Sequence, residues 1–265
     1  MKVNKKKFLY LISPNKILKS FYGDLIKAFK SNKISFFQLR LKKDSYENKI
    51  KIAKKVKKIC KKFKVKFLIN DDPELAKKIN ADGCHIGQKD MNISDARKLL
   101  KKKIIGVTCH NSLRLAKIAN KNDADYIAFG AFNSTKTKKV KYKADIKIIK
   151  KLKKTSNIPV VAIGGINNLN YKKLLLNKAD FLAISGYIWN NKKLKPKEAI
   201  ELLKYPKKLG LLKGKQIILA KGKYGKYIKY NSKNYQIPEE LKEEDIVLKQ
   251  AKDIIKRKDE EKVSE

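Results

Sequence analysis

The sequence predicts an α/β chain: a (β/α)8 TIM barrel followed by a small C-terminal β-hairpin-plus-helix module. Three observations carry this. Eight short apolar runs, rich in β-branched and aromatic residues, recur over about the first 205 residues. Between them lie stretches whose apolar residues fall at helical spacing. After Tyr205-Pro206 the pattern changes to closely spaced strand signals and one charged helix. Strand–helix alternation implies a parallel sheet, and eight units at this length fit a closed barrel. A doubly wound sheet fits less well, because the first run leads into Ser13-Pro14-Asn15-Lys16 instead of a glycine-rich dinucleotide turn.

The predicted strands are 8–12, 34–39, 65–69, 83–86, 104–107, 126–129, 159–163 and 181–184. Most are continuous apolar runs, as expected of parallel strands covered on both faces. The first follows a basic head, MKVNKKK, and ends at Ser13-Pro14 without a small-residue cleavage site, so it reads as a strand and not as a signal peptide. Residues 46–63 carry Ile50, Ala53, Val56, Ile59 and Cys60 on one helical face; 94–100, 112–119, 146–152 and 169–176 behave alike. In the C-terminal module, 216–220 and 227–230 read as two strands around Lys221-Gly222-Lys223-Tyr224-Gly225. A short run at 235–237 follows, then a charged helix from about Glu239 to Lys258. The domains expected are therefore 1–205, the barrel; 206–258, the basic module; and 259–265, a frayed acidic tail.

Composition narrows the function classes. At 42% hydrophobic and 35% charged residues the chain can bury a core and does not resemble a disordered one. No stretch approaches the ~18 apolar residues of a membrane span. Cys60, Cys84 and Cys109 are too scattered for a disulfide framework or a Cys-x-x-Cys zinc site, which fits a reducing cytoplasm, and Cys84 and Cys109 read as core thiols. The 67 basic residues against 25 acidic ones give a charge of +42, yet only Arg40, Arg97, Arg114 and Arg257 are arginine. Nucleic-acid and phosphate surfaces favour the forked guanidinium. The excess is therefore read mainly as compositional bias toward lysine, which still concentrates phosphorylated substrates near the surface.

Barrel chemistry sits at the carboxyl ends of the strands, and seven consecutive strand ends carry polar or glycine residues. Strand two ends in Gln38, Arg40 and Lys42 at period two, on one side of the chain. Strand three ends in Asn70-Asp71, the loop after strand four carries Asp90, and strand five ends in Thr108. Strand six leads to Thr135, Thr137 and Lys138; strand seven ends in Gly164-Gly165 and strand eight in Ile184, Ser185 and Gly186. Singly, each has a plain reading: the lysines as solvated surface, Asn70-Asp71 before Pro73 as a helix cap, Asp90 as a turn residue. Jointly they form two halves. Asp71 and Asp90 are hard oxygen ligands suited to Mg2+, which accompanies substrate phosphates. Arg40, Lys42 and Lys138 are cations able to hold a diphosphate and stabilise it as it departs. The turns after strands seven and eight lie where barrels bind a second phosphate. His85 and His110 read as structural or supporting residues.

At these residues the sequence resembles the thiamine-phosphate synthase family over about residues 8–204. The matching stretches are FFQLRLK, FLINDDPELAKKINADGCHIGQKD, IIGVTCHNSLRLAKIANKNDADYIAFGAF, STKTK, IPVVAIGGI and AISGYI. The resemblance implies a transferase that couples hydroxymethylpyrimidine diphosphate to thiazole phosphate, releasing diphosphate. It implies that Gln38, Arg40, Lys42, Asn70, Thr108 and Lys138 line the pyrimidine diphosphate site, with Arg40 and Lys138 catalytic. Asp71 and Asp90 would bind Mg2+, and Thr135, Thr137, Gly164, Gly165, Ile184 and Ser185 would hold the thiazole phosphate. The chemistry implied is dissociative: diphosphate leaves first, and the thiazole nitrogen traps the pyrimidine cation. Three features depart from the family pattern: Thr108 replaces the usual serine, Asp72 stands where arginine is common, and Ala131, Asn133 and Ser134 replace the usual residues of the strand-six loop. The related thiazole tautomerase is the rival within the superfamily, but its characteristic histidine would fall at Ala131, which cannot transfer protons.

The C-terminal module resembles one copy of the C-terminal repeats of bacterial type I topoisomerases, on Gly222, Tyr224, Gly225 and Tyr227. Aromatic residues among basic ones could stack on single-stranded bases. The partners expected are the two small-molecule substrates, with nucleic acid a lesser expectation for residues 206–258 and no membrane.

Overall fold

Eight short strands close in chain order into a parallel barrel. They are β1 (Leu9–Ile12), β2 (Ile34–Leu39), β3 (Lys66–Asn70), β4 (Gly83–Ile86), β5 (Ile104–His110), β6 (Tyr126–Phe129), β7 (Val160–Ile163) and β8 (Phe181–Ile184). β8 pairs back onto β1, with Tyr10 opposite Ala183. The connecting helices are α1 (Phe21–Phe29), α2 (Tyr46–Lys62), α3 (Pro73–Lys78), α4 (Ile93–Leu100), α5 (Leu113–Lys121), α6 (Lys147–Lys153), α7 (Tyr171–Leu176) and α8 (Gly186–Trp189), followed by α9 (Pro196–Leu202). The structure is a computed structural model describing residues 8–134, 142–190, 196–202, 207–222, 225–238, 241 and 246–261. It divides into two compact units, Met1–Ile200 and Glu201–Glu265.

The strands are apolar throughout because both faces are buried. Alternate residues point inward, and Tyr10, Ile12, Phe36, Leu68, Tyr126, Ala128, Val161, Phe181 and Ala183 form one interior cluster. Their neighbours Leu11, Phe37, Phe67, Cys84, Ile105, Ile127 and Leu182 are buried on the opposite, helix-covered face. Gly106 exists to admit a ring: a Cβ there would lie 1.8 Å from the Tyr126 side chain. One pleat repeat further toward the carboxyl ends, the inward positions of β2 to β5 become Gln38, Asn70, His85 and Thr108. The apolar plug thus gives way to a polar floor.

Four of the helices start where a side-chain oxygen meets a free N–H group of the first turn. Ser45, Asp72, Asn92 and Ser112 accept from the backbone N–H of Asn48, Leu75, Asp95 and Leu115, starting α2, α3, α4 and α5. At the opposite rim a carboxylate precedes β4, β6 and β8. Asp82, Asp125 and Asp180 accept from the backbone N–H of Phe67, Ile105 and Val160, at 2.9, 2.9 and 2.7 Å. Arg97 and Lys153 pair with the latter two at 2.7 Å each. These acids tie neighbouring strands together and lie away from the mouth.

In the second unit β9 (Lys207–Leu212), β10 (Lys215–Gly222), β11 (Gly225–Tyr230) and β12 (Lys233–Gln236) form an antiparallel sheet in the order β12-β11-β10-β9. Helix α10 (Leu248–Glu261) packs on it through Ala251, Ile254 and Ile255 against Ile217, Ile228 and Tyr235. Three expectations are corrected. β9 is a strand that the sequence did not announce, because Gly210 and its lysines mask the alternation. The helix begins at Leu248 and not near Glu239, since Ile246 is spent instead on a small cluster with Leu219. Asp259 to Glu261, expected to fray, continue the helix, and Asp259 accepts from the Tyr235 hydroxyl at 3.0 Å.

Candidate active site

The mouth of the barrel gathers Gln38, Asn70, Asp71, His85, Asp90 and Thr108 from four neighbouring strands and their loops. Gln38, buried at the end of β2, donates from Nε2 to Asn70 Oδ1 at 2.6 Å. With its oxygen engaged, Asn70 keeps its Nδ2 donors for the mouth. Asp71 follows in a left-handed conformation, φ 63°, its backbone N–H donating to the His85 carbonyl at 2.7 Å. A non-glycine residue in that region is a feature met often at functional sites. Asp72, not Asn70 or Asp71, caps α3, so the capping reading of Asn70-Asp71 is answered: Asp71 is left with another task.

Asp71 and Asp90 come together at the rim, close enough for their carboxyl groups to hydrogen-bond. Asp90 also accepts from the Gly87 backbone N–H at 2.7 Å, so its turn role and its place beside Asp71 coexist. Burial works against the Asp71 charge, yet the Lys42 ammonium 2.7 Å away holds that carboxyl below the usual range. Burial and the Asp71 charge push Asp90 above it, against the Gly87 donor. As pH falls, Asp90 therefore takes up a proton before Asp71 does. Among the described residues no group of three or more acid, histidine or cysteine side chains could enclose a metal. A divalent cation on this pair must take its other oxygens from water or a phosphorylated ligand, which is how Mg2+ binds.

Arg40 stands apart from the carboxylates. Its Nη1 donates to Asn15 Oδ1 at 2.6 Å, and its backbone N–H donates to Ser13 Oγ at 2.9 Å. Ser13 is the hub of the β8–β1–β2 seam: its N–H donates to the Gln38 carbonyl, and its own carbonyl accepts from Ser185 Oγ at 3.1 Å. Trp189 Nε1 closes the seam onto the Ile12 carbonyl at 2.6 Å. In the sequence Ser13 and Asn15 mark only the end of the first strand, and their polar character after an apolar run is the one available signal. Ile184 turns its side chain outward to the layer of Leu9, Leu11 and Ile188, leaving only its backbone for the mouth. A cavity of about 250 Å3 opens behind β2 and β3, with Lys42, Asn70 and Asp71 among its walls.

Gly164 and Gly165 take φ of 103° and 57°, which glycine alone adopts readily in succession. They are also crowded: a Cβ on Gly164 would lie 2.3 Å from Ala131, and one on Gly165 2.2 Å from the Ser134 carbonyl oxygen. Phe132 and Asn133 donate their N–H groups to the Ile163 and Gly164 carbonyls at 3.1 and 3.2 Å. The start of the altered strand-six loop is thus fastened to β7. Thr135, Thr137 and Lys138 lie outside the described residues.

Beneath the mouth runs a buried polar chain that the sequence did not disclose. Tyr10 and Tyr126 hydroxyls lie 2.8 Å apart, Tyr126 Oη lies 2.8 Å from His85 Nδ1, and His85 Nε2 lies 2.8 Å from Thr108 Oγ1. Burial lowers the His85 pKa to about 4, so the ring is neutral, and raises both tyrosines. Cys60, Cys84 and Cys109 are buried free thiols, with burial pushing each upward, in keeping with core roles.

A family model for thiamine monophosphate synthase matches residues 9–188, which is more than half of the chain and includes every strand of the barrel. The chain belongs to the thiamine monophosphate synthase family. The thiamine-phosphate synthase of Pelagibacter ubique (strain HTCC1062) is 68% identical over 207 residues, covering 77% of this chain and 100% of that protein. That of Rhodospirillum centenum (strain ATCC 51521 / SW) is 38% identical over 185 residues, 69% of this chain and 89% of that one. The solved structure of thiamine phosphate pyrophosphorylase from Pyrococcus furiosus superposes with a TM-score of 0.67 at 28% identity, covering 76% of this chain and 95% of that chain. The barrel is accordingly that of a transferase of thiamine biosynthesis. A second family model, topoisomerase C-terminal repeat, matches residues 212–264. No helix among the described residues is long and apolar enough to cross a membrane.

Proposed function

We propose that the barrel couples hydroxymethylpyrimidine diphosphate to thiazole phosphate, forming thiamine phosphate and releasing diphosphate. The observation that carries this reading is the Asp71–Asp90 pair at the mouth, tuned apart in proton affinity and flanked by Lys42. Asp71 and Asp90 would hold Mg2+, which when bound offsets the charge of the diphosphate as a leaving group. Lys42 and Arg40 add fixed positive charge; with Asn15 as its partner, Arg40 keeps its remaining N–H donors for the diphosphate. Asn70 presents amide donors, and Thr108 a hydroxyl. Gly164, Gly165, the Ile184 backbone and Ser185 would take the thiazole phosphate. By resemblance alone, Thr135 and Thr137 join that second site and Lys138 the first. Catalysis of this kind rests on positioning and on stabilising a departing dianion, so no general base is required. The buried, unpaired thiols suit a reducing cytoplasm.

The test is to incubate the purified protein with both substrates and Mg2+ and to assay thiamine phosphate. Isomerisation of the thiazole without coupling would instead favour the tautomerase reading. A second reading concerns the C-terminal unit, where the repeat match and the half-buried Tyr227 and Tyr230 of β11 support contact with single-stranded nucleic acid. A gel shift of the full chain against a chain ending at residue 205, titrated with salt, tests it; equal binding by both would remove the second unit from consideration.

A further inference from the structure

We propose that Tyr10, Tyr126 and His85 form a one-way hydrogen-bond chain that fixes His85 as its Nε2–H tautomer and leaves the Thr108 hydroxyl proton for an oxyanion at the barrel mouth. His85 is on this account a positioning residue acting through Thr108. Donor supply sets the direction of the chain. A neutral imidazole has one N–H and one acceptor nitrogen, and here both nitrogens are engaged, by Tyr126 Oη and Thr108 Oγ1. Only two directions exist. If Nδ1 carried the proton, Tyr126 Oη would accept it. Of the two tyrosine O–H groups, one could then donate to the other hydroxyl, and the remaining O–H would have no acceptor. Both rings are at most 1% exposed, and among the described residues Tyr10 Oη has no partner but Tyr126. A buried donor left without an acceptor is a large penalty.

The opposite direction satisfies every donor. Tyr10 O–H donates to Tyr126 Oη, Tyr126 O–H to His85 Nδ1, and His85 Nε2–H to Thr108 Oγ1. The Thr108 oxygen is then already an acceptor, so its own proton must point elsewhere. Thr108 is partly exposed at the end of β5, on the strand next to Asp90 and its loop. Its O–H can then serve an acceptor such as a phosphate oxygen. Gly106 is part of the same device, since any side chain there would displace the Tyr126 ring. This inference rests on the coupling reading for the identity of the oxyanion, but the direction of the chain does not.

Two measurements separate them. First, 15N NMR of the wild-type protein reports the His85 tautomer without substrate; the chain has only two histidines, so a His110→Gln variant assigns the signals. The Nε2–H tautomer is expected, persisting in Tyr10→Phe and weakened in Tyr126→Phe. A resident Nδ1–H tautomer overturns the proposal whatever the enzyme's activity. Second, Thr108→Val and His85→Asn should each lower kcat/KM for the diphosphate substrate by about 10- to 100-fold, the range for a hydrogen bond to a charged group. The double variant should be no worse than Thr108→Val alone, and His85→Gln, which keeps an N–H within reach of Thr108, should recover part of the loss. Additive losses would mean that His85 does not act through Thr108. If wild type itself fails to couple the substrates, the functional reading falls while the tautomer result still decides the chain's direction.

Discussion

Two carboxyl groups at one rim behave differently because their neighbours differ. Lys42 stabilises charge on Asp71, while Asp71 itself disfavours charge on Asp90. Asp71→Asn or Asp90→Asn should each slow coupling by about 100-fold or more, since either removes half of the cation's protein ligands; steady-state rates across Mg2+ concentrations check this. As pH falls Asp90 takes up its proton first, so Mg2+ affinity should weaken on the acid side before Asp71 titrates. In the Asp71→Asn variant the neighbouring charge is gone, and this acid limb should move to lower pH. The stability consequences have opposite signs. Asp71, depressed when folded, stabilises the metal-free fold at neutral pH, and that contribution is lost as pH falls through its folded pKa. Asp90, raised when folded, opposes folding at neutral pH and is relieved as pH falls. Metal-free Asp90→Asn should therefore melt higher than wild type near neutral pH while being the poorer enzyme, as calorimetry would read.

Elements place these residues through caps and close contacts. Asp72 starts α3 by accepting the Leu75 N–H at 2.8 Å. Asp72→Ala should cost about 1 kcal/mol and lower Tm by roughly 2–4 °C in a unit of this size, with kcat nearly unchanged. A large drop in kcat would give Asp72 a part in the chemistry. Gly106→Ala tests packing instead. With its Cβ 1.8 Å from the Tyr126 ring, the ring must move, and a loss of about 1–3 kcal/mol is expected from overpacking. Chemical denaturation measures both. The acids before β4, β6 and β8 belong to this scale too: they join strands at the rim opposite the chemistry, where a barrel's polar residues serve stability.

The whole molecule joins a family barrel to a unit matched by a different family model. The Pelagibacter ubique protein is covered completely by 77% of this chain, so a barrel of that length is a complete protein elsewhere. A chain ending at residue 205 should therefore fold and keep its coupling kcat and KM, measured beside the full chain. Loss of activity would mean that the second unit takes part in the reaction. The charge of +42 is spread over both units and consists almost wholly of lysine, so it acts as a diffuse field and gives no site its geometry.

By itself the sequence determined the eight apolar runs, their order and the rim at which polar residues gather, because burial on both faces writes a continuous run that no loop imitates. It also named Asp71, Asp90 and Lys42, each with a plain structural reading alone but pointing to a site when they fall together at strand ends. Tertiary structure alone decided which acid caps a helix and which faces the mouth, since Asp71 and Asp72 are adjacent in sequence and differ only in backbone direction. It alone assembled Tyr10, Tyr126, His85 and Thr108, four residues from four strands, because a closed sheet brings together side chains that linear spacing leaves unrelated. The edge strand β9 and the late start of α10 were hidden for a similar reason: each depends on the neighbour it packs against, and a local pattern does not carry that neighbour.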